Sequence, residues 1–501
     1  MSFQRGKDGV IDLTGNFNSV DLSGSIGIAG STNLGIWYTT NTGKNWNIGN
    51  LTTGGPTTGS FDSVSLYVPN GIAGSSSGAG IYYTTNNGQT WQQSDKTDEN
   101  FATVSLYGSN GIACSRNNST GIWYTTNYGQ NWQNSDITNG FFWGIILYQN
   151  RGIATSYGGQ GIFWSNDSGA TWTPSNLTSG GFFSVSISGT DAIAASFGAG
   201  IYYSHDSGEN WSPSNITTNN WFSVSLSGDN GIAGSFDNQG IYYTTDKGET
   251  WTISNITTGV DDSTGSGSFR GISLSGLYGI AGSTLGSSYG LYKTLNGGKT
   301  WSNQYTNVST GDFSSVSISG LNAIAGSESN LGIYYTSSPF CYDKKTLILI
   351  NKKGVDVYKR ISELKVGDLV KTYKDDYKKI KMIKSFKYNS FNIHEPKKSL
   401  YKMKNHNVIV TGKHGILVDD VTAEELNKAK VCGVSIRSIK DKKVVPACAS
   451  NQFEIITEDK LFELWHFVLE NNNIHKNYGI YITDGILSES CSEEAFNNSS
   501  F

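Results

Sequence analysis

Five cysteines and six histidines are the residues of this 501-residue chain best suited to nucleophilic and proton-transfer chemistry. The cysteines stand at 114, 341, 432, 448 and 491 with no C-x-x-C pair, a spacing that gives neither a disulfide framework nor a zinc site. Cys341 is set apart by its place, directly after Phe340, where a long repetitive sequence breaks off. A thiol there suits attack on the carbonyl of Phe340, because sulfur is a good nucleophile and, in a thioester, a good leaving group. The step needs a proton donor as well, since an amide nitrogen departs poorly unless protonated, and histidine is the usual donor near neutral pH. Taken alone, a cysteine is most often a small buried hydrophobe.

The charge balance changes at the same point. Residues 1–340 carry 10 Lys and Arg against 20 Asp and Glu, whereas residues 341–501 carry 27 against 21, which implies two modules of different origin. The first part is rich in Gly, Ser, Thr, Asn, Tyr and Trp and poor in Leu and Met, a vocabulary of short strands and tight turns, so the expectation is all-β. Basic and acidic residues are interleaved in the second part, which argues against a nucleic-acid partner. No run reaches the roughly 18 apolar residues of a membrane span, and the first residues lack the apolar core of a signal peptide. Synthesis in a cytosol is therefore expected, with no membrane span and no cofactor or metal; the final location is unknown.

Residues 1–340 repeat one unit of about 40 residues: SV-S-L/I, then GIAGS, then GIYYTT. The third phrase begins at Gly35, Gly80, Gly121, Gly161, Gly200, Gly240, Gly290 and Gly332. Seven copies run on into a loop and a tryptophan, as in SHDSGENW at 204–211. Four short β-type runs per unit are the content of a propeller blade, so eight blades are expected, with seven as the alternative and residues 5–14 completing the last blade. The loop glycine supplies a positive φ, the Asp or Asn two before it caps the turn, and the Trp anchors the next strand. Asn50, Asn176, Asn215, Asn255 and Asn307 head Asn-x-Ser/Thr triplets, but their repeated position makes them turn residues first and glycan acceptors second.

The motif S/T-x-D/N-x-G-x-T/N-W resembles the Asp-box of sialidase-type, sortilin-type and photosystem-assembly-factor-type β-propellers, where it is a structural hairpin. A sialidase would need an arginine triad. Residues 1–340 hold only Arg5, Arg116, Arg151 and Arg270, none in that family's FRIP context. The expectation is a binding or display module for an unknown glycan or protein ligand.

From Cys341 the sequence resembles the Hint (Hedgehog/intein) superfamily. Cys341 with Thr346-Leu347-Ile348 is similar to the family's first block, and Ile361-x-x-Leu364-x-Val366-Gly367-Asp368-x-Val370 to its L-x-x-G-D-x-V turn. Thr411-x-x-His414-x-Ile416-x-Val418 matches its T-x-x-H block, and Trp465-His466-Phe467 through Gly485 to Ser490 looks like the closing strands of the bacterial class. The resemblance implies that Cys341 is the nucleophile on the Phe340–Cys341 bond, that His414 protonates the leaving nitrogen, and that Thr411 holds the scissile amide. His466 would assist the second step, and Asp368 caps a turn. The thioester would pass to water, a thiol or an amine. The remaining cysteines and His394, His406 and His475 are assigned no chemistry.

The chain lacks the terminal His-Asn of splicing inteins and the sterol-recognition extension of Hedgehog proteins, so the resemblance implies cleavage without splicing or cholesterol transfer. The expected organisation is a propeller over 1–340, a compact Hint-type β domain over 341–491 and a tail over 492–501. The fusion also resembles proteins of large DNA viruses of protists, which implies association with a virion. The rival expectation is a propeller adhesin or structural protein with a degenerate Hint cap.

Overall fold

Every copy of the repeat closes into an antiparallel sheet whose strands follow one another in order, and eight such sheets make a propeller. The structure is a computed structural model; it describes residues 3–8, 11–52, 59–97, 99–115, 121–236, 239–256, 268–284, 290–294, 296–302, 308, 311–319, 322–336, 342–374, 376–389, 399–404, 406, 408–412, 414–432, 434–456, 461–470, 478–483 and 486–490. By contacts the chain divides into two units, Phe3–Thr336 and one that holds Ser337–Phe501. The sixth blade shows the plan: Trp221–Ser227, Asn230–Ser235, Ile241–Thr244 and Thr252–Ile253 pair successively.

Eight blades stand, and the chain's first strand closes the ring. Gln4 and Arg5 pair with Tyr335 and Tyr334 as the outer strand of the eighth blade. The closing segment is shorter than the expected 5–14, because Lys7–Asp8 pairs instead with Asn45–Trp46 and Ile11–Asp12 folds back on it. Those residues widen the outer edge of the first blade rather than complete the last.

The serines of the SV-S-L/I phrase explain how the ring holds. The first strand of each blade is an edge, so its N–H groups would be left unpaired along the channel. A hydroxyl of the preceding blade accepts them wherever that blade has the serine: Leu106 N donates to Ser65 Oγ at 3.0 Å, Leu147 N to Ser105 Oγ at 2.9 Å, and Leu274 N to Ser225 Oγ at 3.0 Å, whereas blade four has Gly144 and Ile146 at these positions. Val20 N and Leu22 N donate to Ser315 and Ser317 at 2.9 and 3.0 Å, which joins the eighth blade to the first.

Asp21 takes the place of serine in this ladder and accepts Leu66 N at 2.8 Å. Part of its surface borders the channel, but enclosure by the surrounding strands raises its pKa; hydrogen bonds from Leu66, Leu22 and Ser317 oppose that without reversing it. A carboxyl whose folded pKa lies above its unfolded value of 3.8 favours the fold below that value, and the advantage is lost as pH rises through the folded pKa. Asp21→Ser is therefore expected to raise the melting temperature of the propeller by roughly 2 °C at pH 8 and to leave it unchanged at pH 3.5. Tryptophan fluorescence reads the propeller, since only Trp465 lies beyond residue 340. Equal shifts at both pH values would contradict the assignment.

The Asp-box loops behave as the sequence implies. Asp206 Oδ1 accepts Asn210 N at 2.9 Å and Ser204 Oγ at 2.8 Å, and Trp211 Nε1 donates to Gly208 O at 2.9 Å. Gly208 has φ +90°, and a Cβ there would meet Ile153 Cδ1 at 2.9 Å, so both the turn and the packing call for glycine. Three of the Asn-x-Ser/Thr asparagines do more than make turns. Asn176, Asn215 and Asn255 each grip the backbone of the next blade's tryptophan, accepting its N–H at 2.6–2.7 Å and donating to its carbonyl at 2.9–3.0 Å. Their amides are thereby spent on joining blades.

Among its described residues the second unit is also mostly β, with one short α-helix. That helix, Ala423–Val431, begins at a capping box in which Thr422 and Glu425 satisfy each other's backbone N–H groups. Strands Leu347–Lys352, Leu369–Lys371, Gly415–Val418, Leu461–Leu469 and Gly479–Ile482 enclose a core that includes Ile348, Val370, Ile416, Phe467 and Ile480. The turn at Gly367 has φ +92°, and Asp368 Oδ2 accepts Lys365 N at 2.9 Å, the capping expected of it. Among the described residues no helix is long and apolar enough to cross a membrane.

Candidate functional site

Tyr342 is the first described residue of the second unit, and two strands grip it. Its backbone pairs with Val410 of Ile409–Thr411 on one side and with Trp465 of Leu461–Leu469 on the other. Partners across an antiparallel pair share a face, and neighbours along a strand alternate. Thr411 and His466 are the neighbours of Val410 and Trp465 along these two strands, and their side chains therefore point to the opposite face. Both are buried, Thr411 at 5% exposure and His466 at 0%. Thr411 Oγ1 has no hydrogen-bond partner among the described residues.

A tight turn follows Thr411, closed by His414 N donating to Thr411 O at 2.9 Å, and it brings the His414 ring back over the same strand end. His414 is 1% exposed and its ring centroid lies 4.1 Å from that of Tyr342. His414 Nε2 is 3.1 Å from both Ser488 Oγ and Glu489 O. A carbonyl oxygen only accepts, so this geometry requires the proton on Nε2. The Tyr342 hydroxyl donates to the same carbonyl at 2.6 Å, which ties residue 342 and His414 to one strand, Ile486–Glu489.

Behind that strand lies an ion pair. The Glu489 side chain is wholly buried; its Oε1 accepts Gly415 N at 2.8 Å, and Arg437 Nη2 sits 2.9 and 2.8 Å from the two carboxylate oxygens. A buried carboxylate is tolerated only when paired and hydrogen-bonded, and here both conditions hold. Arg437 thus fixes Glu489, and Glu489 fixes Gly415 and, through its carbonyl, His414.

The structure brings Thr411, His414 and His466 to one region of the second unit, around Tyr342. Phe340 and Cys341 lie outside the described residues, as do Arg116, His394, His475, Cys491 and the 492–501 tail. Among the described residues Cys114, Cys432 and Cys448 form no disulfide; Cys114 lies in the propeller, and Cys448 borders this site through its N–H, which donates to Gly412 O at 3.0 Å. Sequence reasoning gave Tyr342, Ser488, Glu489 and Arg437 no role. Glu489 lay within the closing stretch from Gly485 to Ser490 that carries the resemblance, whereas nothing in the sequence singled out Tyr342, Ser488 or Arg437.

The propeller has a second candidate, a cavity of about 410 Å³ at one mouth of its channel, lined by Asn18, Asp62, Trp143, Phe183, Phe222 and Arg270 among others. These six hold one repeat position, the second residue of a blade's first strand. At each of them a β-bulge shifts the register of the ladder: Phe142 pairs with Ser156 and Gly144 with Thr155, so the register steps over Trp143. A bulge re-aims the side chain it carries. At the other end of the first strands Tyr67, Tyr107 and Tyr148 stand in a row, with ring centroids 5.1 and 5.3 Å apart.

Comparison with known proteins bears on the propeller. The family model described as BNR/Asp-box repeat matches residues 82–93. No curated protein matches the chain. Among solved structures, YCF48 bound to D1 peptide is 15% identical with a TM-score of 0.45, covering 67% of this chain and 93% of that one. The computationally designed Ika8 protein is 6% identical with a TM-score of 0.42, covering 64% of this chain and 82% of that one. The Niastella koreensis GH74 enzyme is 13% identical with a TM-score of 0.35, covering 66% and 60%. The propeller described above rests on its own strand pairing, and its Asp-box repeats fit a binding or structural module.

Proposed function

We propose that the second unit is a Hint-type self-processing module that breaks the Phe340–Cys341 bond, and that the propeller is the binding or display module it releases or transfers. The observation that carries this is the contact between Tyr342 and His414: the residue next to the proposed nucleophile packs at 4.1 Å against the imidazole proposed to protonate the leaving nitrogen. The reading needs the scissile bond at the next rungs of the ladder, beside Thr411 and His466, and a histidine poised there supplies general acid catalysis.

The step balances as an isomerisation. Cys341 Sγ bonds to the carbonyl carbon of Phe340, the C–N bond breaks, the thiol loses one proton and the freed amine gains one. Nε2 of His414 is engaged by Ser488 and Glu489, so the proton His414 passes on leaves from Nδ1 of the imidazolium. Thr411 Oγ1, buried without a partner among the described residues, is a hydrogen-bonding group for the scissile amide. Water, a thiol or an amine then takes the acyl group from sulfur. Hydroxylamine tests the reading, because at neutral pH it intercepts thioesters much faster than it cleaves Asn–Gly steps such as Asn70–Gly71, and fragment masses tell the two apart. Purified protein incubated with it at neutral pH is expected to give fragments 1–340 and 341–501, the first ending in a hydroxamate by mass spectrometry. A chain still whole after days, with Cys341 freely alkylated, would leave the second unit as a folded cap.

A further inference from the structure

We infer that the mouth of the propeller channel is a binding site for a neutral oligosaccharide, stacked on an aromatic arc over blades four to six and hydrogen-bonded by the polar arc opposite. This rests on the binding reading of the propeller and is independent of self-processing by the second unit.

The repeat itself separates what the fold needs from what it does not. Every blade has a buried aromatic at the first position of its first strand, such as Phe17, Phe142 or Trp221, or two residues ahead of that strand, as Phe101 and Phe313. At the next position blades one and two carry Asn18 and Asp62 on the bulge, and blades eight and three carry Ser314 and Ala102 just ahead of the strand, whereas blades four, five and six carry Trp143, Phe183 and Phe222 on the bulge. Blades with small or polar residues there fold in the same way, so the large rings are not required for the blade. They are backed by Tyr157, Phe197 and Phe236, each following a second strand, which are 37%, 47% and 37% exposed. A soluble fold gains nothing by clustering exposed rings, and such a patch marks a contact surface.

The arrangement of the rings says what they contact. Tyr157 and Phe183 stack at 5.0 Å and 27°, Phe183 and Phe222 at 5.0 Å and 14°, and the Arg270 guanidinium lies 5.0 Å over Phe222. Across the cavity Asn18 Nδ2 donates to Asp62 Oδ1 at 2.9 Å, and Ser314 Oγ is buried with no partner among the described residues. A pyranose presents weakly positive C–H groups on its face, which suit the negative face of an aromatic ring, and hydroxyls at its edge that both donate and accept. The cavity falls within the range of small-ligand sites, roughly 300–1,000 Å³, and accepts a short saccharide rather than a single hydroxyl compound.

Two rivals fit less well. The lining holds Asp62 and Glu328 against one cation, Arg270, which already faces Glu328 at 3.9 Å, so an acidic sugar or phosphate meets net negative charge. A peptide docking as an added strand needs free backbone groups, and the first strands of blades three, four and seven already give their N–H groups to the serine ladder, although blade five faces Gly144 and Ile146 in place of serines.

The test is titration of the full-length protein with neutral β-glucan, xylan, mannan and chitin oligosaccharides, with a sialylated glycan and an aromatic-rich peptide beside them. Calorimetry and tryptophan fluorescence give the affinity. At least one neutral oligosaccharide is expected to bind, Phe183→Ser and Trp143→Ser to weaken it ten-fold or more, and Tyr67→Ser, at the opposite end, to leave it unchanged. Unaltered melting of the two mouth variants, expected because the polar Asn18 and Asp62 stand on the same bulge in blades one and two, separates lost contact from lost fold. Binding of the acidic glycan or the peptide alone, abolished by Phe183→Ser, would overturn the saccharide and keep a binding propeller. No binding by any probe would overturn both, while hydroxylamine cleavage would be untouched.

Discussion

The Cys341→Ala chain is expected to stay whole under hydroxylamine while the wild type separates into 1–340 and 341–501. Without the thiol no acyl acceptor precedes the external one, and the rate should fall by more than about 10³-fold, as when a covalent nucleophile is deleted elsewhere. His414→Asn is the informative companion. An amide keeps a donor toward Glu489 O but has no proton to give at neutral pH, so the loss should be on the order of 10²–10⁴-fold, the usual share of general acid catalysis. Thr411→Val should be milder, since it removes one hydrogen-bonding group and preserves the volume of the buried site. Gel densitometry over time measures all three. Cleavage of Cys341→Ala at the wild-type rate would remove the thioester from the scheme, and an unimpaired His414→Asn would remove the imidazole.

What the sequence could tell about this molecule follows from the range over which each feature acts. The blades were legible because every turn of the argument is local: a glycine with φ +90°, an Asp or Asn capping within four residues, a tryptophan three residues on. The serine phrase was visible as a repeat, but its purpose was not. Ser65 serves Leu106 across 41 residues, and only closure of the ring shows that the acceptor belongs to one blade and the donor to the next. The bulge at Trp143 was hidden for a related reason, because an alternating strand and a bulged one read alike until the partner's register is known. The reach of the closing strand was overestimated because residues 7–12 have the same β vocabulary whichever blade they join.

In the second unit the blocks named by resemblance carried Thr411, His414 and His466, while Arg437 lay in a stretch with no pattern at all. Its partner, Glu489, is 52 residues away and its role exists only in three dimensions. That makes Arg437 the sharper test of the site's construction. Arg437→Ala strips the only basic partner seen on a fully buried carboxylate among the described residues. Removal of one member of a buried pair costs about 3–5 kcal/mol, and the lower figure applies because Arg437 is 42% exposed and water can enter its place. About 3 kcal/mol is roughly a 10²-fold loss of hydrogen-exchange protection in the strands Gly415–Val418 and Ile486–Glu489, which peptide-resolved mass spectrometry measures. The propeller strands, in the other unit, should be unaffected. Self-cleavage should slow as well, because Glu489 O positions His414.

Arg437→Lys should recover part of the protection, since a point charge replaces a planar fork. Glu489→Gln placed on the Arg437→Ala background should recover more, since it removes the stranded charge while keeping an oxygen for Gly415 N. Full protection in Arg437→Ala alone would mean that the carboxylate is held by Gly415 and its surroundings without the guanidinium. Slowed cleavage with unchanged protection would instead place Arg437 in the chemistry and not in the scaffold.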